Sequence, residues 1–114
     1  MPPKRNPLNL NPLQLKTLTL LQELARIAGK PAAEDEPGGL AITELPDPRG
    51  DHFHLGEAVV AARDATGLRN PAVWIVLERK GLIRPKLPEA VILTALGQQY
   101  DTGMRDAILH TAGH

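Results

Sequence analysis

Apolar and polar positions alternate along this chain in two rhythms, and each predicts a different element. From Pro12 to Ala28 the rhythm is helical: Leu13, Thr17, Leu20, Leu21, Leu24 and Ile27 fall on one face. Asn11 and Pro12 supply a cap and a first-turn residue that needs no amide partner, and Gly29 and Pro31 are stop signals. Leu15, Leu18 and Ala25 form a second apolar stripe beside the first. One stripe suffices to cover a small domain, so the second predicts a further covering surface: a second copy in a homodimer, or else the chain's own C-terminal helix. At residues 40–45 the rhythm shortens to two, as in a half-buried strand. Turn chemistry at 46–50 then predicts a hairpin whose returning strand is 51–55. Residues 56–66, with Ala58, Val59, Ala62 and Ala65 facing inward, are predicted as a helix.

The densest signals lie between Asp64 and Pro85. Gly67 is placed to end one helix through a left-handed backbone. Asn70 and Pro71 open the next, Arg79 and Lys80 suit the negative end of its dipole, and Gly81 stops it. Two helices joined by a short glycine-containing turn form a helix-turn-helix. Short apolar strands at 82–84 and 90–93 follow, joined by a segment holding Pro85 and Pro88, residues that belong at a strand edge or tip. A last helix starts near Thr94 and bends or breaks at Gly103.

These residues also carry a resemblance. Thr66-Gly67-Leu68, the valine at 73, and Leu-Glu-Arg-Lys-Gly-Leu-Ile-Arg at 77–84 resemble the recognition unit of winged helix-turn-helix domains of the MarR/PadR-like kind. Val-Ile-Leu-Thr-Ala-Leu-Gly at 91–97 resembles the second wing strand and the start of the closing helix, so the likeness covers roughly residues 51–102. One departure is that the second helix is about one turn shorter than in typical members. The resemblance implies a mainly α fold with a small β wing (α+β), in the order helix, hairpin or strand, helix, helix, wing, helix. It also implies a transcriptional regulator bound to double-stranded DNA, with a dimer interface on the terminal helix at Leu96, Tyr100, Met104 and Ile108.

Charge sharpens this. The chain is neutral overall, yet residues 1–30 carry a net +4, residues 31–57 a net −6 and residues 63–86 a net +4. A basic stripe is the minimal footprint for a phosphate backbone, and it makes Arg69, Asn70, Arg79, Lys80, Arg84 and Lys86 the candidate DNA contacts. The helix phase set by Leu68, Val73, Val76 and Leu77 as buried positions turns Trp74 and Ile75 outward, where base or phosphate contacts are expected. Neither reads a base edge by hydrogen bonding. Two large exposed apolar side chains call for a cover: another chain, the 30–50 segment, or a different phase of the helix. The alternative function is therefore protein–protein contact through Trp74 and Ile75, with Leu15 and Leu18 as a further contact surface.

Composition narrows the classes. Phe53, Trp74 and Tyr100 are the only aromatic residues, so the core is aliphatic. The absence of cysteine excludes disulfides, thiolate metal sites and a cysteine nucleophile. No segment is apolar enough for a membrane span, and a cytoplasmic setting is the expectation. His52 and His54 share a strand face but lack further ligands at diagnostic spacing, and His110 and His114 are read as tail residues; no metal or other cofactor is expected. No phosphate loop, paired acidic motif or nucleophile triad stands out, which argues against an enzyme. The expected organisation is a disordered basic arm at 1–11, one domain at 12–110 with an acidic loop and hairpin insertion at 30–50, and a tail at 111–114.

Overall fold

The computed structural model describes residues 6–32, 36–47, 50–86 and 90–111. In chain order the elements are α1 (Pro12–Ala28), β1 (Lys30–Pro31), β2 (Leu40–Ile42), β3 (His52–Leu55), β4 (Ala58–Ala61) and a 3-10 segment (Ala62–Arg69). Then come α2 (Pro71–Arg79), β5 (Ile83–Lys86), β6 (Ala90–Leu93), α3 (Ala95–Gln99), α4 (Arg105–Ile108) and β7 (His110–Thr111). The class is α+β, with two antiparallel sheets among the described residues, ordered β1-β2-β6-β5 and β3-β4-β7.

Helix α1 is the centre of the packing. Its start is fixed by a capping box: the Asn11 side chain accepts from the Gln14 amide at 2.8 Å, and the Gln14 side chain accepts from the Asn11 amide at 2.9 Å. The helix packs against the 3-10 segment, α2, β2, β6 and α3. Most of both apolar stripes is consequently interior, with Leu18, Leu20 and Leu21 fully buried and Leu15 half-buried against the core, while Ile27 at the end of the first stripe is exposed. This corrects the expectation that Leu15 and Leu18 face a second copy. The C-terminal part of the same chain reaches this side of α1: the Thr19 and Thr102 hydroxyls hydrogen-bond at 2.6 Å, and the Gln22 amide donates to the carbonyls of Gly97 and Tyr100 at 2.8 Å each.

Strand pairing differs from the expected hairpin. β2 joins β1 and β6, whereas β3 pairs with β4 in the register Leu55↔Ala58 to His52↔Ala61. The connection is the two-residue loop Gly56-Glu57, with Gly56 at φ +60°, the arrangement of a tight hairpin turn with glycine first. Residues 56–66 are therefore not one helix. Val59 and Val60 favour the strand, Val60 is fully buried, and the helical turns begin only at Ala62.

Gly67 also has a different role from the one expected. Its φ is not positive, and it sits inside the 3-10 segment, where an added Cβ would lie 1.8 Å from Thr17 Oγ1. It is a contact glycine that lets this segment lie against α1. The stop at the end of α2 is as expected in kind: with Lys80 as cap and Gly81 at φ +78°, the Leu82 amide donates to Leu77 O at 3.0 Å and the Gly81 amide to Glu78 O at 2.9 Å. Leu77 and Leu82, at the two ends of this closure, are both fully buried.

Two expectations about the chain's ends change as well. Residues 1–5 of the expected arm lie outside the described residues, but 6–11 pack on the body: Leu10 is buried, the Leu8 amide donates to the Tyr100 hydroxyl at 3.2 Å, and Lys80 Nζ donates to Leu8 O at 2.7 Å. The closing helix is two short pieces, α3 and α4, divided around Gly103 at φ +66°. Tyr100 and Ile108 are buried within the chain, so the terminal-helix interface implied for them is not available there; Leu96 is exposed. His110 and Thr111, expected at the edge of the tail, form β7 on β4; 112–114 lie outside the described residues.

Candidate binding surface on the second helix

The helix α2 begins where Asn70 accepts from the Ala72 amide at 3.0 Å and Pro71 fills a position that needs no donor. Val73 and Leu77 point into the core. The opposite face carries Pro71, Ala72, Ile75, Glu78 and Arg79, all exposed. Ile75 is 52% exposed and is, with Ile27 and Leu96, one of three exposed large aliphatic side chains among the described residues. Trp74, expected to face outward with it, is turned partly inward: it packs on the core, and its indole N–H donates to Leu68 O at 3.0 Å. The tryptophan thereby forms a wall rather than a projection.

Beside that wall lies a groove of about 360 Å³, lined by Leu45, Leu68, Pro71, Trp74 and Ile75, with Arg69 and Glu78 at its rim. Leu45 belongs to the 30–50 segment, so that segment covers part of the apolar face and leaves the rest open. Its neighbour Asp47 forms an ion pair with Arg69. Sequence reasoning left Leu45 and Asp47 out of the site; the signal available was that Leu45 closes the alternating run 40–45 at an apolar position.

The six candidate DNA contacts are brought to different tasks. Arg69 pairs with Asp47, Asn70 is the cap of α2, Lys80 is bonded to Leu8 O, and Arg84 Nε donates to Glu36 at 2.6 Å. Lys86 is exposed at the end of β5, an edge strand. Arg79 is exposed and makes no side-chain ion pair or hydrogen bond among the described residues; the same holds for Glu78 beside it. The exposed face of α2 between Asn70 and Arg79 thus presents apolar groups, one carboxylate and one guanidinium.

A second cavity, of about 220 Å³, shares no lining residue with the groove and is lined by Glu23, Arg26, Glu57, Ala58, Arg105, Leu109 and His110. Its centre is Glu23, a carboxylate 3% exposed. Arg26 binds it from the next turn of α1 with Nε at 3.1 Å and with Nη2, and Arg105 Nη1 from α4 lies at 2.8 Å. Arg26, and then Arg105, hold the carboxyl down at about 2 against the opposing effect of burial. His52 and His54 stand edge to face with ring centres 5.6 Å apart, and the Asp51 carboxylate, bonded to His52 Nδ1 at 2.9 Å, is held below its usual range by that bond. Among the described residues no three His, Cys, Asp or Glu side chains are grouped to hold a metal ion, and no helix is long and apolar enough to cross a membrane. Compared with known proteins, the chain matches no family model, no curated protein and no solved structure.

Proposed function

We propose that this chain is a winged-helix module that acts by protein–protein contact through the exposed face of α2. The observation that carries the reading is the groove of Leu45, Leu68, Pro71, Trp74 and Ile75, open beside a helix whose outward face offers a base edge only Glu78 and Arg79. An apolar centre with charged residues at the rim is the composition of a protein contact site. The order helix, strand, helical turn, helix and β hairpin supports the winged-helix reading, with the added β3–β4 pair lying between the first strand and the turn. Fold likeness alone leaves function open, so the argument rests on the groove.

DNA binding is the second reading, favoured by one observation: Arg79 has no side-chain partner among the described residues, and Arg69, Arg84 and Lys86 are exposed. Exposed ion pairs such as Arg69–Asp47 contribute about 0–1 kcal/mol, so phosphates would displace them. Such binding would track the backbone and not the sequence. The two readings separate with a photo-crosslinking residue at position 72, on the exposed first turn of α2, in cells producing the chain. Adducts with protein that disappear when Ile75→Asp is added are expected. Adducts with nucleic acid alone, together with salt-sensitive duplex binding that weakens in Arg79→Ala, would replace the first reading by the second.

A further inference from the structure

We propose that the partner of this face is a second copy of the chain, bound with the two α2 helices antiparallel across a two-fold axis at Ile75. The proposal rests on the protein-contact reading above and names its occupant. The exposed positions 71, 75 and 78 follow one another at helical spacings of four and three, and 79 lies four beyond 75, so they form one stripe along α2. A two-fold axis at Ile75 sets Ile75 against Ile75, Ala72 against Glu78 and Pro71 against Arg79. The small residues at one end of the stripe therefore receive the two long side chains of the other end, and the isoleucines meet at the centre.

Charge fits the same arrangement. Toward the N-terminal end of α2 the groove is lined by Arg69, which pairs with Asp47; toward the C-terminal end it is lined by Glu78, with the exposed Arg79 next in the chain, and neither Glu78 nor Arg79 has a side-chain partner among the described residues. Antiparallel pairing brings Glu78 to the partner's Arg69 and to the positive end of the partner's α2. It brings Arg79 to the partner's Asp47. Each end carries both signs, so the surface is complementary to itself and selects neither a strongly acidic nor a strongly basic partner. Parallel pairing would instead set Glu78 against Glu78 and Arg79 against Arg79. Because α2 has only nine residues, the contact is small by the standard of stable interfaces, and the dimer is expected to be weak and concentration-dependent.

The test is sedimentation equilibrium of the full chain over a roughly hundredfold concentration range, with circular dichroism confirming that each variant is folded. Wild type is expected to pass from monomer to dimer. Ile75→Asp should remain monomeric throughout, Glu78→Arg should weaken the dimer about tenfold or more, and Arg69→Glu added to Glu78→Arg should restore most of the affinity. A wild type that stays monomeric, a dimer indifferent to Ile75→Asp, or a double variant no better than Glu78→Arg alone would each overturn the proposal. The crosslink at position 72 separates this failure from failure of the underlying reading. An adduct at twice the chain mass supports self-pairing; an adduct with a different protein overturns self-pairing while leaving protein contact standing; no protein adduct ends both.

Discussion

The Glu23 cluster and the α2 groove share no lining residue, and they treat charge in opposite ways. At Glu23 a nearly buried carboxylate is bound by two guanidinium groups from its own chain, one of them brought from α4. Both carboxylate oxygens, which burial strips of water, are thereby hydrogen-bonded within the molecule. At α2 the ions Glu78 and Arg79 have no side-chain partner among the described residues, and Ile75 stays in water. A region whose polar needs are met internally holds the fold together. One whose apolar and charged groups are left unmet has free energy available for contact with another molecule.

The largest effect that would break this contrast is at Glu23. Glu23→Gln should destabilise the fold by on the order of 3 kcal/mol near neutral pH, measured by denaturant unfolding. The pH dependence checks the cause. The carboxyl has its pKa lowered from 4.5 to about 2 on folding, so the unfolded chain takes up the proton first. Its contribution is complete above 4.5 and is lost as pH falls from there toward about 2, and the Gln variant should lack that acid-sensitive component. Next is Gly67→Ala, whose new methyl would collide with Thr17 and cost about 1–3 kcal/mol, part of it recovered by Thr17→Ala. Trp74→Phe removes the bond to Leu68 O and should cost about 1 kcal/mol in the same assay, loosening the groove wall without opening the core. Smallest in stability is Ile75→Asp, expected within about 0.5 kcal/mol of wild type because the side chain is already exposed. A stability loss comparable to that of Glu23→Gln would place Ile75 among the core residues and remove the contrast.

Local chemistry was legible where start and stop signals agreed. Asn11-Pro12 and Asn70-Pro71 open helices at the expected residues, and Gly81 closes the second. The strands 83–86 and 90–93 pair as the apolar runs indicate, with Pro85 on an edge strand where its missing amide costs no ladder bond. What was not legible depended on contacts distant in sequence. Alanines at 58, 61, 62 and 65 fit a helix or a strand equally well, and the decision came from Gly56 turning β3 back on β4. Gly67 resembles a helix terminator until Thr17, fifty positions earlier, is known to lie against it. In the candidate site, the outward position of Ile75 follows from helical phase. The half-turned Trp74 does not, because it depends on a hydrogen bond to Leu68 O that no periodicity encodes.

The cover of α1 has a consequence for how the chain is made. The bonds that close its far side join Thr19 to Thr102 and Gln22 to Gly97 and Tyr100, while Leu8 meets Tyr100 across an interval of ninety-two positions. During synthesis α1 emerges before the residues that cover it and can form, since its cap is local. Its apolar surface nevertheless has no complete cover until Thr102 has been added. A translating ribosome therefore carries a greasy helix through the whole interval from α1 to Thr102, which makes that interval the one in which a chaperone would bind it and in which aggregation would begin.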